Sequence, residues 1–269
     1  MSETLPKLKR PLRKVVKNCY QVLKINTQLQ EEIQVLNKGV VPRDSKSLTI
    51  GVWNIFKGNG GVKFFRDFMS IVKSCDLWML QEVLASPHGL GDYIPDHYEG
   101  FHGASYERMD GLRDGVMNLA RLESGEFSKV FRFSKTEPLV RTPKVSLMNH
   151  YYMGKRNVRV INVHQPLVRG RKRASRDLLE VMEQADEFEG PGIVAGDFNT
   201  FTKRYFREVC QVMTSFGYEY VPLDHDPRKE IQKLDHIFQR GFKVESSSII
   251  KEAKSSDHFA LRAKLLLED

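Results

Sequence analysis

The sequence predicts an α/β fold, a four-layer sandwich of two packed mixed β-sheets flanked by helices, and three observations point to it. Short runs of β-branched and apolar residues alternate with helical stretches in one block from residue 48 to the C-terminus. Two of these runs, Lys144–Met153 and Asn157–His164, are separated only by Gly154–Arg156, so they pair locally and antiparallel. No internal repeat or low-complexity tract interrupts the block. Local pairing beside helical crossovers gives mixed sheets packed as a sandwich rather than a purely parallel, doubly wound sheet.

In chain order, residues 1–47 read as a helical extension with a linker, and residues 48–269 as the main domain. From Lys7 to about Lys38 there is no glycine, and Pro6 and Pro11 fall before or within the first turns, so one helix is expected. Its apolar positions, from Leu8, Leu12, Val15 and Cys19 through Val22, Asn26 and Leu29 to Ile33 and Leu36, alternate steps of four and three around one polar Asn. That spacing suits self-association through a coiled coil, or else an amphipathic helix lying on its own domain. Gly39–Ser47, with Pro42 and Asp44, reads as the linker. Strands are then expected at Leu48–Ile55, Leu77–Glu82, Gly115–Leu122, Lys144–Met153, Asn157–His164, Gly192–Asp197, Leu234–Gln239 and His258–Leu267. Helices are expected at Val62–Ser74, Ser175–Phe188 and Lys203–Phe216.

Bulk properties bound the function. The chain of 269 residues carries 42 Lys plus Arg against 34 Asp plus Glu, a net charge of +8 that favours polyanionic partners such as nucleic acid or an anionic membrane face. Three widely spaced cysteines, Cys19, Cys75 and Cys210, form neither a zinc pattern nor a disulfide framework, and a reducing cytoplasm is the simplest setting. Arg10, Arg13, Lys14, Lys17 and Asn18 interrupt every apolar stretch near the N-terminus, and nowhere do about 18 apolar residues run together, so neither a signal peptide nor a membrane span is expected.

The informative feature is what stands at the strand ends. The first expected strand reaches Asn54, the second Gln81-Glu82, another His164, and another Asp197-Phe198-Asn199. Carboxylates at buried strand ends cost several kcal/mol, on the order of a lost solvation shell, unless a metal or donor compensates. Glu82, Asp197, Asp235 and Asp257, with Asn54 and Asn199, form an all-oxygen set without thiolates, which suits Mg²⁺ or Mn²⁺ better than Zn²⁺.

The ordered set Trp53-Asn54, Gln81-Glu82, Asn162-Val163-His164, Gly196-Asp197-Phe198-Asn199, Leu234-Asp235-His236 and Ser256-Asp257-His258 resembles the endonuclease/exonuclease/phosphatase (DNase I-like) superfamily over about Leu48 to Leu267. The stretches Val52–Lys57 and Arg141–Lys144 look most like an uncharacterised bacterial branch of it. The resemblance implies a Mg²⁺- or Mn²⁺-dependent phosphoesterase. Glu82 would be the principal metal ligand, with Asn54 and Asp257 assisting directly or through water. Asp197 would position or deprotonate the attacking water, and Asn199 would hold a phosphate oxygen or that nucleophile. His258, oriented by Asp235, would face the phosphate, and His164 would be a candidate acid for the leaving oxygen. His236, beside Asp235 on the opposite strand face, reads as structural, and His88, His97, His102, His150 and His225 as surface or packing residues.

The substrate is bounded more than assigned. Ile231–Asp235 lacks the Pro-Ser-Trp-Cys-Asp-Arg type segment of inositol-polyphosphate phosphatases, and Asn162–Pro166 lacks the Tyr-Val-Pro-Asn type ending usual in abasic-site endonucleases. Arg169, Arg171, Lys172, Arg173 and Arg176 follow His164, and Lys203, Arg204 and Arg207 follow Asn199. Of these, Arg169, Arg171, Arg173, Lys203 and Arg204 are candidates for binding successive phosphates of a nucleic acid. The alternative is a solvated basic face. Tyr205 and Phe206 among the cations suit base stacking or helix core. A nucleic-acid phosphodiesterase is therefore the first expectation, an enzyme for lipid or small phosphate esters the second, and a catalytically silent scaffold that binds nucleic acid or membrane the third.

Overall fold

Alternating apolar residues pair the chain into two stacked sheets in the computed structural model, which describes residues 25–40, 45–58, 61–86, 94–136, 142–167, 171–185, 187–229 and 233–268, with backbone alone at 135 and 171–174. Among these residues the strands are β1 (Ile33–Asn37), β2 (Ser47–Asn54), β3 (Leu77–Ala85), β4 (Glu99–Glu107), β5 (Arg113–Ala120), β6 (Glu123–Thr136), β7 (Pro143–Met153), β8 (Arg156–His164), β9 (Gly192–Asp197), β10 (Glu219–Tyr220), β11 (Asp235–Arg240), β12 (Phe242–Ile249) and β13 (Leu261–Leu267). Their order is β1-β4-β5-β3-β2-β13-β12 in one sheet and β10-β11-β9-β8-β7-β6 in the other. The expected hairpin forms, with Met153 opposite Arg156 at the β7–β8 turn. Both sheets are mixed, because β2 runs parallel to β3 and β8 parallel to β9 while the other paired neighbours are antiparallel.

Three apolar clusters build the four layers. Leu48, Ile50, Val52, Val160, Ala195 and Leu265 belong to the core between the sheets. On the outer face of the first sheet, α1 (Val62–Ile71) buries Phe64, Phe68 and Ile71, a four-then-three spacing that lines one helix face against Trp53 and Trp78. On the outer face of the second sheet, α2 (Arg171–Gln184) packs through Leu178, Val181 and Met182, and α3 (Lys203–Ser215) through Tyr205, Val209 and Met213. Thr202 caps α3, its hydroxyl accepting from the Tyr205 N–H at 3.1 Å.

The expected N-terminal helix requires correction where it can be judged. Residues 1–24 lie outside the described residues, but the helix does not reach Lys38. Ile33–Asn37 is instead the edge strand β1, paired antiparallel with β4, so the sandwich begins before residue 48. The physical reason is visible in the side chains: Ile33 packs on the core between the sheets and Leu36 on the outer cluster. A three-residue separation puts two side chains on opposite faces of a strand but on the same side of a helix. Arg132 Nε fixes this segment through Glu32 Oε1 at 2.7 Å.

Buried polar struts tie the sheets together beneath the site. Asn162 Nδ2 donates from β8 to the Leu80 and Met117 carbonyls of the facing sheet, each at 3.1 Å, and its Oδ1 accepts from Gln81 Nε2 at 2.7 Å. Gln81 and Asn162, read in the sequence as parts of catalytic motifs, thus act as inter-sheet connectors.

Candidate active site

Strand direction brings the polar strand ends to one edge. In the parallel pairs, Asn54 stands beside Gln81 and His164 beside Asp197, so two sets of C-terminal ends lie together. The antiparallel β11 starts at this same edge, placing Asp235 opposite Asp197. Gly196 permits the approach: its φ is +141°, and a Cβ there would lie 2.0 Å from the Val163 carbonyl oxygen. Positive φ at Glu82 (53°) and Asn199 (52°) marks two further strained residues of the site, and Glu82 sits on the bulge where the β3–β5 register slips.

The loop before β13 is pinned over this edge. Ser256 Oγ donates to the Asn54 carbonyl at 2.6 Å and accepts from the His258 N–H at 3.1 Å, while Trp53 Nε1 donates to the His258 carbonyl at 3.2 Å. Thus Trp53-Asn54 and Ser256-Asp257-His258, 202 residues apart in the chain at the Ser256–Asn54 bond, form one unit.

Asp197 is the hub. Its Oδ2 accepts from Asn54 Nδ2 at 3.1 Å and lies 3.7 Å from His164 Nε2 and 3.9 Å from His258 Nε2. Its Oδ1 accepts from the Asn199 backbone N–H at 2.9 Å. Burial, seconded by the charge of Asp235, pushes the Asp197 carboxyl up to about 7 against the opposing pull of His258 and its hydrogen-bond donors. His258 Nδ1 pairs with Asp235 Oδ2 at 2.9 Å. Burial lowers this imidazole's affinity for its proton, but the charge and hydrogen bond of Asp235, with Asp197 and Asp257 behind them, override that and push it up to about 10. His164 goes the other way: burial, then the charges of Lys144, His258 and Lys57, hold it well below the ordinary histidine value. The two histidines are thus pushed in opposite directions, His258 toward the protonated form and His164 toward the neutral one.

The remaining expected residues divide. The Asn199 side-chain amide donates to the Gln165 carbonyl at 2.7 Å, and its backbone serves Asp197. Asp257 is exposed, its carboxylate 3.4 Å from Ser256 Oγ. Tyr205 is buried with its hydroxyl on Gln165, and Phe206 stacks on His236 at 4.5 Å, so both belong to the core rather than to base stacking. His236 is buried against Thr200 at 2.6 Å, structural as expected. Lys203 and Arg204 are exposed at the start of α3, Arg204 pairing with Glu208 at 3.4 Å. Arg169 and the side chains of Arg171 and Arg173 lie outside the described residues.

A second set of charged residues was not foreseen as part of the site. Lys144, only 3% exposed, places its ammonium 3.5 Å from Glu82 Oε1, and His164 Nε2 lies 4.0 Å from the same oxygen. Buried Asp114 is held by Lys57 at 2.5 Å, and Lys57 also reaches the Tyr106 hydroxyl at 3.4 Å. Although burial alone would raise it, the charges of Lys57 and Lys144 hold the Asp114 carboxyl below its ordinary value. Lys57 and its neighbour Phe56 both adopt left-handed backbone, at φ 57° and 49°. On the other side, buried Arg228 donates from Nη1 to the Asp235 carbonyl at 3.1 Å and so helps fix the histidine's partner.

The donor chemistry fits a hard divalent cation. Asp197, Asp235 and His258 each present a ligand-type atom within 4.8 Å of the others, the one such group among the described residues, and because Asp235 favours the protonated form of His258, only the two carboxylates of that group are open to a cation. Asp235 Oδ1 is buried without a hydrogen-bond partner there. Glu82 and the Asn54 amide oxygen, which also accepts from the Phe56 N–H at 3.0 Å, stand at the same edge, and excess buried carboxylate is what a cation relieves.

Comparison with known proteins shows the family and the fold. The profile of the Endonuclease/Exonuclease/phosphatase family matches residues 51–258. UPF0294 proteins of Vibrio cholerae and Erwinia tasmaniensis are 26% and 28% identical over 231 and 215 residues, covering 81% and 78% of this chain and 78% of each relative. Among solved structures, an endonuclease/exonuclease/phosphatase of Bacteroides vulgatus has a TM-score of 0.64 at 20% identity, covering 82% of this chain and 99% of its own. The catalytic domain of human Nocturnin with bound sulfate anion has a TM-score of 0.60 at 17% identity, covering 90% and 99%. No helix among the described residues is long and apolar enough to cross a membrane.

Proposed function

The chain belongs to the endonuclease/exonuclease/phosphatase family, a family of hydrolytic phosphoesterases, and from that premise we propose that it hydrolyses phosphodiesters of nucleic acid by attack of water on phosphorus. The observation that carries this reading is the convergence of His258 and His164 on the Asp197 carboxylate, at 3.9 and 3.7 Å, with Asp235 behind His258. Asp197 is the acceptor for the proton of the attacking water, poised because burial makes it a stronger base than an ordinary carboxylate. His258, held protonated by Asp235, places positive charge and a donor at Nε2 against the phosphate oxygens and the departing oxygen. His164, buried and held toward its neutral form, presents Nε2 3.7 Å from Asp197 Oδ2 as a polar group without charge. Glu82, Asn54 and, through water, Asp257 would hold Mg²⁺ or Mn²⁺, which when bound supplies charge neutralisation at the phosphate.

Nucleic acid is favoured over small esters by the net charge of +8 and by Lys203, Arg204 and Arg207, exposed on the first turns of the helix that follows Asn199. The test is hydrolysis of single- and double-stranded DNA, RNA and phospholipid with Mg²⁺ or Mn²⁺, comparing the parent with Glu82→Ala. Cleavage of DNA or RNA that is lost with EDTA and in the variant is the expected result. Turnover of lipid head groups alone would reject the substrate class. Binding of nucleic acid without metal-dependent turnover, unchanged in Glu82→Ala, would reject the enzyme and leave a scaffold.

A further inference from the structure

Lys144 is a cation that this mechanism does not use, yet it is built into the site. It stands near the start of β7, in the sheet opposite Glu82, and its buried ammonium crosses to within 3.5 Å of the carboxylate assigned to the metal. Lys57 has a different place, its ammonium on Asp114 and Tyr106. Resting on the reading of Glu82 as a metal ligand, we propose that Lys144 couples cation binding to phosphate binding: it competes for Glu82 in the free protein and turns to a phosphate oxygen when the diester arrives.

A divalent ion at Glu82 and the Lys144 ammonium are like charges sharing one carboxylate, in a pocket where water screens poorly. In the free protein the lysine therefore weakens the site for metal. A phosphate oxygen supplies the second anion, and the long, flexible lysine stem lets the ammonium move to it without moving the strand. Each ligand then favours the other, and linkage makes the coupling reciprocal. The design keeps the cation loosely held until substrate is present.

The experiment is Mn²⁺ titration of the full chain, followed by loss of the free-ion paramagnetic resonance signal, with and without saturating dimethyl phosphate as an inert diester. In the parent, the diester should tighten Mn²⁺ binding at least about fivefold, the lower end of ordinary coupling. In Lys144→Met, Mn²⁺ should bind more tightly than in the parent when no diester is present, and the diester effect should vanish; Lys144→Arg should keep it. Equal Mn²⁺ affinity in the parent with and without diester overturns the proposal whether or not the Met variant folds, as does undiminished coupling in a folded Lys144→Met. Loss of Mn²⁺ binding in Glu82→Ala, with the parent hydrolysing bis(p-nitrophenyl) phosphate, upholds the functional reading even if coupling is absent. Unchanged Mn²⁺ binding in Glu82→Ala overturns both.

Discussion

The two flanks of the active edge are built on different principles. On the histidine flank, Asp197, Asp235 and His258 come from β9, β11 and the loop before β13, and hydrogen bonds of 2.9 to 3.1 Å fix each carboxylate. On the lysine flank, Glu82, Asp114, Lys57 and Lys144 form a charge network across both sheets, with the carboxylates balanced by ammonium groups rather than by backbone donors. The first flank is rigid and suits chemistry at a fixed point. The second places ammonium groups on long side-chain stems beside the residue assigned to the metal, which suits binding and release.

The largest effect belongs to the histidine flank. His258→Ala should lower kcat by roughly 10²–10⁴, the usual contribution of positioned acid–base groups, with KM little changed, as steady-state kinetics would show. A comparable fall in KM affinity with kcat intact would mean that His258 only binds. Next in size is Gly196→Ala, since its Cβ would meet the Val163 carbonyl at 2.0 Å and its φ of +141° is strained for any side chain. Chemical denaturation should show a loss of about 1–3 kcal/mol or more, as for a small-to-large insertion into packed structure at a backbone angle that disfavours a side chain.

The pH profile sharpens the comparison further. Asp197 must be deprotonated to accept the water's proton, so activity should rise as pH climbs toward about 7, with the limb shifted lower when a bound cation favours the carboxylate. His258 must keep its proton, so activity should fall as pH approaches about 10. Asp235→Asn removes the charge that holds the imidazolium and should move the alkaline limb down; an unmoved limb would separate it from His258. The stability contributed by the His258–Asp235 pair carries the same sign: a histidine whose folded pKa is raised stabilises fully below its unfolded value, about 6.5, and loses that contribution as pH rises through about 10. The smallest effect is expected at exposed cations. Lys203→Ala with Arg207→Ala should weaken nucleic-acid binding and flatten its dependence on log salt by at most about 2, with kcat on a small diester intact.

The histidine flank was legible in the sequence because its residues sit in compact motifs at strand ends, where Asn54, His164, Asp197 and His258 break an apolar pattern. Of the lysine flank only Glu82 was, at the end of its strand; Lys57, Asp114 and Lys144 were not. Arg141–Lys144 drew notice only as a resemblance to one branch, because nothing local announces that the start of β7 will face a bulge on β3 in the other sheet. The missed strands share a similar cause. β12 reads Phe-Lys-Val-Glu-Ser-Ser-Ser-Ile, polar because it is an edge, and β6 is broken by register shifts. In β1, a heptad-like spacing over few residues could not be told from a strand until Ile33 and Leu36 were seen on opposite faces.

The central claim is that these two flanks together drive water onto phosphorus, and product labelling in heavy-oxygen water tests it most directly. The parent, with Mn²⁺ and bis(p-nitrophenyl) phosphate, should release nitrophenol without label and a phosphomonoester carrying one labelled oxygen, with the reaction abolished by EDTA and in His258→Ala. Label in the nitrophenol, or turnover that persists in His258→Ala at the parent's rate, would contradict the account.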